Sequence, residues 1–148
     1  ISLASNQVAY SMIRRDIEKE MVPYVLENNK SILAYSPLER GLLTGKIKAD
    51  HQFNEGDHRA KHPFYTGQNL VNINSFLEKI KPLANEKGVK LSQLVLRWTI
   101  AQPGITVALA GARDAVQSTE NARAADINLS DAEIEQINLE LEKLVIVR

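Results

Sequence analysis

The sequence has 148 residues, of which 44% are hydrophobic and 24% are charged, the composition of one ordinary folded domain. Its 18 basic residues balance 18 acidic ones, which removes the electrostatic basis for a nucleic-acid or anionic-membrane partner. The absence of cysteine excludes disulfides, cysteine metal sites and thiol catalysis. It fits a reducing compartment, so we expect a cytoplasmic protein. No apolar run approaches the roughly 18 to 20 residues that a membrane span requires.

The first part of the chain predicts two strands separated by a helix. Residues 1–4, Ile-Ser-Leu-Ala, lack an initiator methionine and the basic start of a signal peptide, so we expect the chain to begin partway through a protein. Residues 3–8 predict a strand, and apolar residues recur at helical spacing over 13–25. A second short apolar run, residues 31–35, ends before Pro37, which cannot donate to a sheet ladder.

The second part predicts one strand among several helices. Residues 41–69 form a stretch of mixed polarity that is longer than ordinary connections, so we expect a functional or mobile loop. The pattern then predicts a helix over 70–88, a helix capped by Ser92, a strand over 106–110, a helix over 114–125, and a helix opened by the capping box of Ser130 and Glu133. Because residues 106–110 are almost continuously apolar, we expect that strand to be buried on both faces.

This alternation predicts an α/β fold in which crossover helices connect parallel strands. Three parallel strands cannot close a barrel, and their outer edges remain unpaired. We therefore expect a single partial domain over residues 1–148, whose sheet is completed by residues outside this chain or by another chain.

Candidate ligand-binding residues follow the predicted strands, because ligands in parallel-sheet folds bind at the carboxyl ends of strands. These ends carry an amide at Gln7, an aromatic hydroxyl at Tyr35, and a glycine turn with a guanidinium at Gly111 and Arg113. The combination suits a large ligand with a flat ring and a phosphate. Each residue alone has an ordinary structural role as an alternative, such as a half-buried core tyrosine or an exposed arginine.

Read together with their neighbours, these residues resemble the aldo-keto reductase family. The similar motifs, in the family's order, are Asn-Gln-Val-Ala-Tyr-Ser (6–11), Ile-Leu-Ala-Tyr-Ser-Pro-Leu (32–38), Gly-Leu-Leu-Thr-Gly-Lys (41–46), Leu-Val-Leu-Arg-Trp (94–98), and Gly-Ala-Arg (111–113) followed by Gln117, Glu120 and Asn121. The resemblance covers essentially the whole chain. It implies the C-terminal part of a (β/α)8 TIM barrel, comprising the last three strand–helix units, and an enzyme that reduces small carbonyl substrates with NADPH.

The resemblance also assigns roles to residues around the first two strands. Gln7 would bind the nicotinamide carboxamide, since an amide can both donate and accept. Tyr35 would stack on the nicotinamide ring. Ser36, Pro37 and Leu38 would line the pyrophosphate and ribose. The loop from Gly41 to Lys46 would fold over the pyrophosphate, with Lys46 as a point charge.

The third strand would supply the adenosine end of the site. Gly111 would allow a close backbone approach, and Arg113 would contact the 2′-phosphate that separates NADP from NAD. Gln117, Glu120 and Asn121 share one helix face by their spacing and would reach adenine and ribose. Arg59 matches a loop arginine that some family members place near the phosphates.

The resemblance implies that the catalytic set lies upstream. The family uses a tyrosine acid, a lysine, an aspartate and a histidine from its first four strands, and none of the four tyrosines here has that context. We therefore expect no catalytic residue in this chain, negligible activity of the chain alone, and dependence on the missing N-terminal barrel portion. A non-catalytic nucleotide-binding or regulatory module and an inactive truncation product are the alternatives. His51, His58 and His62 are predicted as solvated loop residues, and we expect no metal site.

Overall fold

Parallel strands and helices alternate along the chain in the computed structural model, which describes residues 3–147. The strands are β1 (Ser5–Ala9), β2 (Ser31–Tyr35) and β3 (Ile105–Leu109), and the α-helices are α1 (Met21–Glu27), α2 (Gly67–Glu86), α3 (Leu91–Ala101), α4 (Ala115–Ala122) and α5 (Asp131–Glu142). Short 3-10 turns occupy Asp16–Glu18, Glu39–Thr44, His58–Lys61, Pro63–Tyr65 and Arg123–Asp126. Within residues 3–147 no helix is both long and apolar enough to cross a membrane.

The sheet has the order β1-β2-β3, and both pairings are parallel. Ala9 of β1 and Leu109 of β3 both pair with Tyr35 of β2, so the carboxyl ends of the strands lie at one edge. The three strands form an open sheet, which confirms the predicted partial barrel with parallel strands. This edge is where ligands bind in parallel-sheet folds.

The two faces of the sheet differ in burial because the helices cover only one of them. Ile32 and Ala34 on the covered face are fully buried. On the other face, Val107 is 41% exposed and Leu109 is 37% exposed. The expectation that the third strand is buried on both faces is therefore wrong, and the strand runs one residue earlier than predicted.

The core lies between the covered face and the helices. Its largest fully buried side chains include Trp98 from α3 and Ile73 and Leu77 from α2. Tyr10 stacks on Trp98 with ring centroids 6.2 Å apart, and the indole Nε1 donates to Asn138 Oδ1 at 3.0 Å. Trp98 is thus an interior residue of the helical layer.

Two helix starts differ from the predictions for local reasons. The helix predicted over residues 13–25 is a 3-10 turn followed by α1, which begins only at Met21. Pro23 lacks an N–H and is favoured in the first turn of a helix, which is where α1 places it. The cap of α3 is Lys90 rather than Ser92: the backbone N of Lys90 donates to Gln93 Oε1 at 3.0 Å, and Ser92 lies inside the helix.

Other boundaries shift by a few residues. Helix α2 begins at Gly67, within the predicted loop, and α4 ends at Ala122, where a 3-10 turn continues the chain. The predicted capping box is confirmed, since the Ser130 amide donates to Glu133 Oε2 at 2.7 Å. The Glu133 amide donates to Ser130 Oγ at 3.4 Å.

Candidate functional site

Residues 36–46, here called the β2 loop, leave the carboxyl end of β2. Tyr35 is the last residue of the strand and is 43% exposed on the open face of the sheet. Ser36 then adopts a left-handed backbone (φ 56°), Pro37 is buried, and Leu38 is half-buried. The carbonyl of Leu38 accepts from the amides of Gly41 and Leu43 at 3.0 and 3.2 Å. The chain therefore turns sharply immediately after the strand.

Three consecutive residues at the centre of the β2 loop have left-handed backbones. Their φ values are 42° for Glu39, 48° for Arg40 and 96° for Gly41. This conformation is costly for residues with a Cβ, so it persists only where surrounding contacts impose it. Gly41 is the residue type expected at the largest of these angles.

Side chains from three places hold the carbonyl groups of this strained stretch. Tyr65 Oη donates to the carbonyl of Glu39, Arg59 Nη1 to that of Arg40 at 3.1 Å, and Thr44 Oγ1 to that of Gly41 at 2.7 Å. Burial, followed by the negative charge of Glu39, raises the pKa of Tyr65 to about 12, so the hydroxyl remains a donor at neutral pH.

The carboxylate of Glu39 is buried and holds the β2 loop from its other side. Ser11 Oγ donates to Glu39 Oε1 at 2.7 Å, and Arg14 Nε donates to the same oxygen at 3.1 Å. Arg14 Nη2 lies 3.4 Å from Oε2, and these bonds raise the pKa of Arg14 above its ordinary value. Both donors lie just after β1, so the loop is tied to the neighbouring strand.

Arg59 lies beside the β2 loop, and its guanidinium is paired within the chain. Arg59 Nη2 lies 2.7 Å from Asp57 Oδ2, and Nε lies 3.0 Å from Oδ1. The Arg59 side chain and backbone hydrogen bonds lower the pKa of Asp57 to about 2. Arg59 joins the loop around residue 57 to the β2 loop through the carbonyl of Arg40.

Residues 111–121, here called the β3 segment, leave the carboxyl end of β3 and organise themselves locally. Asp114 caps α4 by accepting from the Gln117 amide at 2.7 Å. Gln117 Oε1 accepts from the Arg113 amide at 2.9 Å, and Asn121 Nδ2 donates to the carbonyl of Gly111 at 3.2 Å. The Arg113 side chain is exposed and makes no hydrogen bond or ion pair within residues 3–147.

Glu120 does not join the local cluster of Gln117 and Asn121. Its carboxylate forms an ion pair with Lys90, and its carbonyl accepts from Gln93 Nε2 at 2.9 Å. The helical spacing that predicts a shared face is present, but the Lys90 partner turns this carboxylate toward the start of α3. Its role at adenine or ribose stays a prediction.

Two further predicted residues lie away from the turns. Gln7 is the middle residue of β1 rather than its end, a correction that follows because pairing with β2 continues through Ala9. It is exposed, and its register opposite Leu33 places it on the same open face as Tyr35. Lys46 is exposed at the end of the β2 loop, whose Gly45 packs against Leu91 at the start of α3.

The predicted residues thus fall into two groups on adjacent strands, around the β2 loop and the β3 segment. The residues that sequence reasoning missed are Ser11, Arg14, Glu39, Arg40 and Tyr65. Arg40 is exposed and places a cation in the loop. In the sequence, Arg40 is marked only by the charged pair Glu-Arg between Leu38 and Gly41, and motif spacing does not predict a role for that pair.

The three histidines do not form a metal site. His51 packs on Phe53 with centroids 4.6 Å apart, and His62 packs on Phe64 at 5.0 Å. His62 Nδ1 also accepts from the Phe64 amide at 3.3 Å, and His62 is half-buried, whereas His51 and His58 are exposed as predicted. The described part of the chain contains no group of three His, Cys, Asp or Glu side chains that could hold a metal ion.

Known proteins are similar to this chain in sequence and in fold. An NADH-specific methylglyoxal reductase of Escherichia coli is 35% identical over 127 residues, which cover 86% of this chain and 38% of that protein. An aldo-keto reductase [NADP(+)] of Schizosaccharomyces pombe is 34% identical over 134 residues, or 88% of this chain and 39% of that protein.

A solved structure, a glycerol dehydrogenase from Gluconobacter oxydans, superposes with a TM-score of 0.89 at 31% identity. The match covers 97% of this chain and 43% of that one, so the chain spans well under half the length of these relatives. The model of the aldo/keto reductase family matches residues 1–140. The chain belongs to the aldo/keto reductase family.

Proposed function

We propose that this chain is the NADP(H)-binding part of an aldo-keto reductase that reduces a small aldehyde or ketone. The observation that best supports this proposal is the pair of turns that follow adjacent strands, the β2 loop and the β3 segment. One offers a constrained backbone with exposed Arg40 and Lys46. The other offers Arg113, whose exposed side chain has no partner among residues 3–147. Cations at two neighbouring turns suit the pyrophosphate and the 2′-phosphate of one nucleotide.

The open face of the sheet supplies the other end of this proposed site. Tyr35 is exposed at the end of β2 and offers its ring as a flat surface, while Gln7 on the same face offers an amide donor and acceptor. These groups would orient a bound nicotinamide, which supplies hydride for carbonyl reduction. Ser36, Pro37 and Leu38 would lie along the sugar and phosphates between the two ends.

Arg113 is the residue that we propose favours NADP(H) over NAD(H). The relatives differ in this respect, since the Escherichia coli protein is described as NADH-specific and the Schizosaccharomyces pombe protein as NADP(+)-linked. A guanidinium can bind a phosphate through two parallel hydrogen bonds. The Gln117 and Asn121 bonds to the backbone around Arg113 would fix the turn from which it extends.

We also propose that the proton donor of the reaction comes from outside this chain. Tyr10 Oη donates to Glu18, and burial raises the pKa of Tyr10 well above its ordinary value. Tyr65 is buried with a raised pKa, and Tyr24 is exposed on α1. An efficient general acid needs a pKa near the working pH, which the surroundings of Tyr10 and Tyr65 oppose. The cysteine-free composition is compatible with a cytoplasmic location for the enzyme.

Calorimetric titration with NADPH and assays with a panel of aldehydes test this function. We expect the longest natural form of the protein to bind NADPH with a Kd on the order of micromolar and to oxidise it with aldehyde, and the 148-residue chain to show negligible turnover. Trp98 is a poor reporter because it is buried in the helical layer. No NADPH binding by the longest form, or turnover by the short chain at a complete relative's rate, would contradict the proposal. Binding without turnover by the longest form would favour the regulatory alternative.

A further inference from the structure

Glu39 places a carboxylate in the interior at the centre of the β2 loop. Its side chain is 5% exposed, and a carboxylate at such a depth needs close hydrogen-bonding partners to offset the loss of hydration. The partners are Ser11 Oγ at 2.7 Å and Arg14 Nε at 3.1 Å. Both partners belong to the chain segment after β1, so the carboxylate connects the loops of two neighbouring strands.

The backbone of Glu39 is held as well as its side chain. Its amide donates to the carbonyl of Ser36 at 2.9 Å, and its carbonyl accepts from Tyr65 Oη. Glu39 and Arg40 adopt left-handed backbones that L-residues avoid without external support. The network around Glu39 therefore supplies the support that keeps this part of the loop in an unfavourable conformation.

The Glu39 carboxylate is buried, whereas its Arg14 partner is 35% exposed. Burying this charge costs hydration that an apolar residue of the same volume would not lose, so stability alone does not explain a carboxylate at this position. The position is also electrostatically unusual, since a carboxylate lies within a loop that we propose receives phosphates. Arg14 balances this charge at 3.1 Å. The pair does more than neutralise the carboxylate. Its hydrogen bonds have a fixed geometry, so they also fix the direction of the loop backbone.

We infer that Glu39 is a positioning residue, which sets the β2 loop in the shape that the pyrophosphate of the nucleotide requires without itself touching the ligand. This inference rests on the proposed function. It predicts a local effect: loss of Glu39 weakens ligands that reach the β2 loop and leaves ligands of the β3 segment unaffected. The β3 segment is organised by Asp114, Gln117 and Asn121, none of which contacts Glu39.

The test compares E39Q with E18Q in the longest natural form of the protein. Glu18 is the matched control, because it also pairs with an arginine, Arg15, at 2.7 Å and accepts from a hydroxyl, that of Tyr10, at 2.6 Å. The probes are ADP-ribose, which carries the pyrophosphate, and adenosine 2′-monophosphate, which reaches only the β3 segment. For E39Q we expect the Kd of ADP-ribose to rise about tenfold, as loss of a charged hydrogen bond would give.

The same variant should bind adenosine 2′-monophosphate within about twofold of the wild type, and E18Q should change neither Kd, since separate sites act independently. The kcat of E39Q at saturating NADPH should also change less than the Kd, because a positioning role in binding leaves the hydride step intact. An unchanged ADP-ribose Kd in folded E39Q, or an equal loss for both probes, would overturn the inference.

If E39Q does not fold, Y65F tests the same inference. It removes one hydroxyl that donates to the Glu39 carbonyl and keeps the ring, and we expect a severalfold, probe-selective loss of ADP-ribose affinity. Unchanged affinity in Y65F would then overturn the inference. Failure of the wild type to bind NADPH would sink the proposed function and this inference together, whereas normal wild-type binding with unselective variants would sink the inference alone.

Discussion

The β2 loop and the β3 segment lie on neighbouring strands, yet they are built in opposite ways. The β2 loop has strained backbone angles and is held by Ser11, Arg14, Arg59 and Tyr65, all of which are distant in sequence. In the β3 segment the bonds of Asp114, Gln117 and Asn121 stay within ten residues. One half of the candidate site therefore depends on tertiary structure, and the other depends on a single helix start.

This difference separates two ways of binding a phosphate. A loop held in advance loses little conformational entropy when a ligand arrives, so its backbone can contribute at low cost. The β3 segment instead presents the long side chain of Arg113, a residue type with many rotamers, on a turn that is fixed by local hydrogen bonds. Mutations in the β2 loop should therefore change nucleotide affinity by altering the backbone shape, and mutations in the β3 segment should change it by altering the charge.

Removing the charge in the β3 segment should give the largest effect. For R113A we expect NADPH affinity to fall roughly ten- to hundredfold, the loss typical of a charge-assisted hydrogen bond, with NADH affinity nearly unchanged. R123A serves as the control because Arg123 is an exposed arginine in the turn after α4. Equilibrium titration with both nucleotides measures the effect, and equal losses for NADPH and NADH would refute the 2′-phosphate role.

Alanine at the two glycines tests shape in each region. Gly41 has φ 96° and an added Cβ would meet nothing within 4 Å, so G41A should lower the free energy of unfolding by about 1–2 kcal/mol through backbone strain alone. Gly111 has an ordinary φ and equally open space, so G111A should change it by less than about 0.5 kcal/mol. Urea denaturation of both variants measures this difference. A larger loss of unfolding free energy in G111A than in G41A would contradict the comparison.

Weakening the ion pair beside the β2 loop should give the smallest effect. The pKa of Asp57 is about 2, below its ordinary value of 3.8, so its bond to Arg59 stabilises the fold fully above the ordinary value and is lost as pH falls toward 2. The thermal midpoint of D57N should lie slightly below that of the wild type at pH 6, and the two should converge near pH 2. A difference that persists at pH 2 would show that the effect does not come from this ionisation.

Local features of the fold could be predicted from the sequence, whereas features that join distant residues could not. The capping box of Ser130 and Glu133 depends on residues three apart, and short apolar runs place the three strands to within one or two residues of their limits. The start of α1 was misjudged because the apolar spacing ignores Pro23. Ser92 was predicted as the cap of α3 because serine is a common capping residue and lies only two positions from Lys90, the residue that caps the helix.

The candidate site shows the same division. Gln117 and Asn121 could be predicted to share a helix face because they lie four residues apart, whereas Arg113 was placed at the preceding turn by resemblance. The Glu39 network could not, since its hydrogen bonds join residues 25 to 28 positions apart along the chain. Arg59 could be placed near the β2 loop by resemblance, but its bond to Asp57 depends on the course of a loop that has no periodic pattern.

The most direct test of the account is a map of backbone amide chemical shifts during titration of the longest natural form of the protein with NADP+. We expect the backbone amides of residues 36–46, apart from Pro37, and of residues 111–117 to shift together with one Kd, because one nucleotide bridges the two regions. Amides of α5 and of the layer around Trp98 should stay unchanged. Shifts confined to one of the two regions, or centred on α5, would contradict the claim that they form a single nucleotide site.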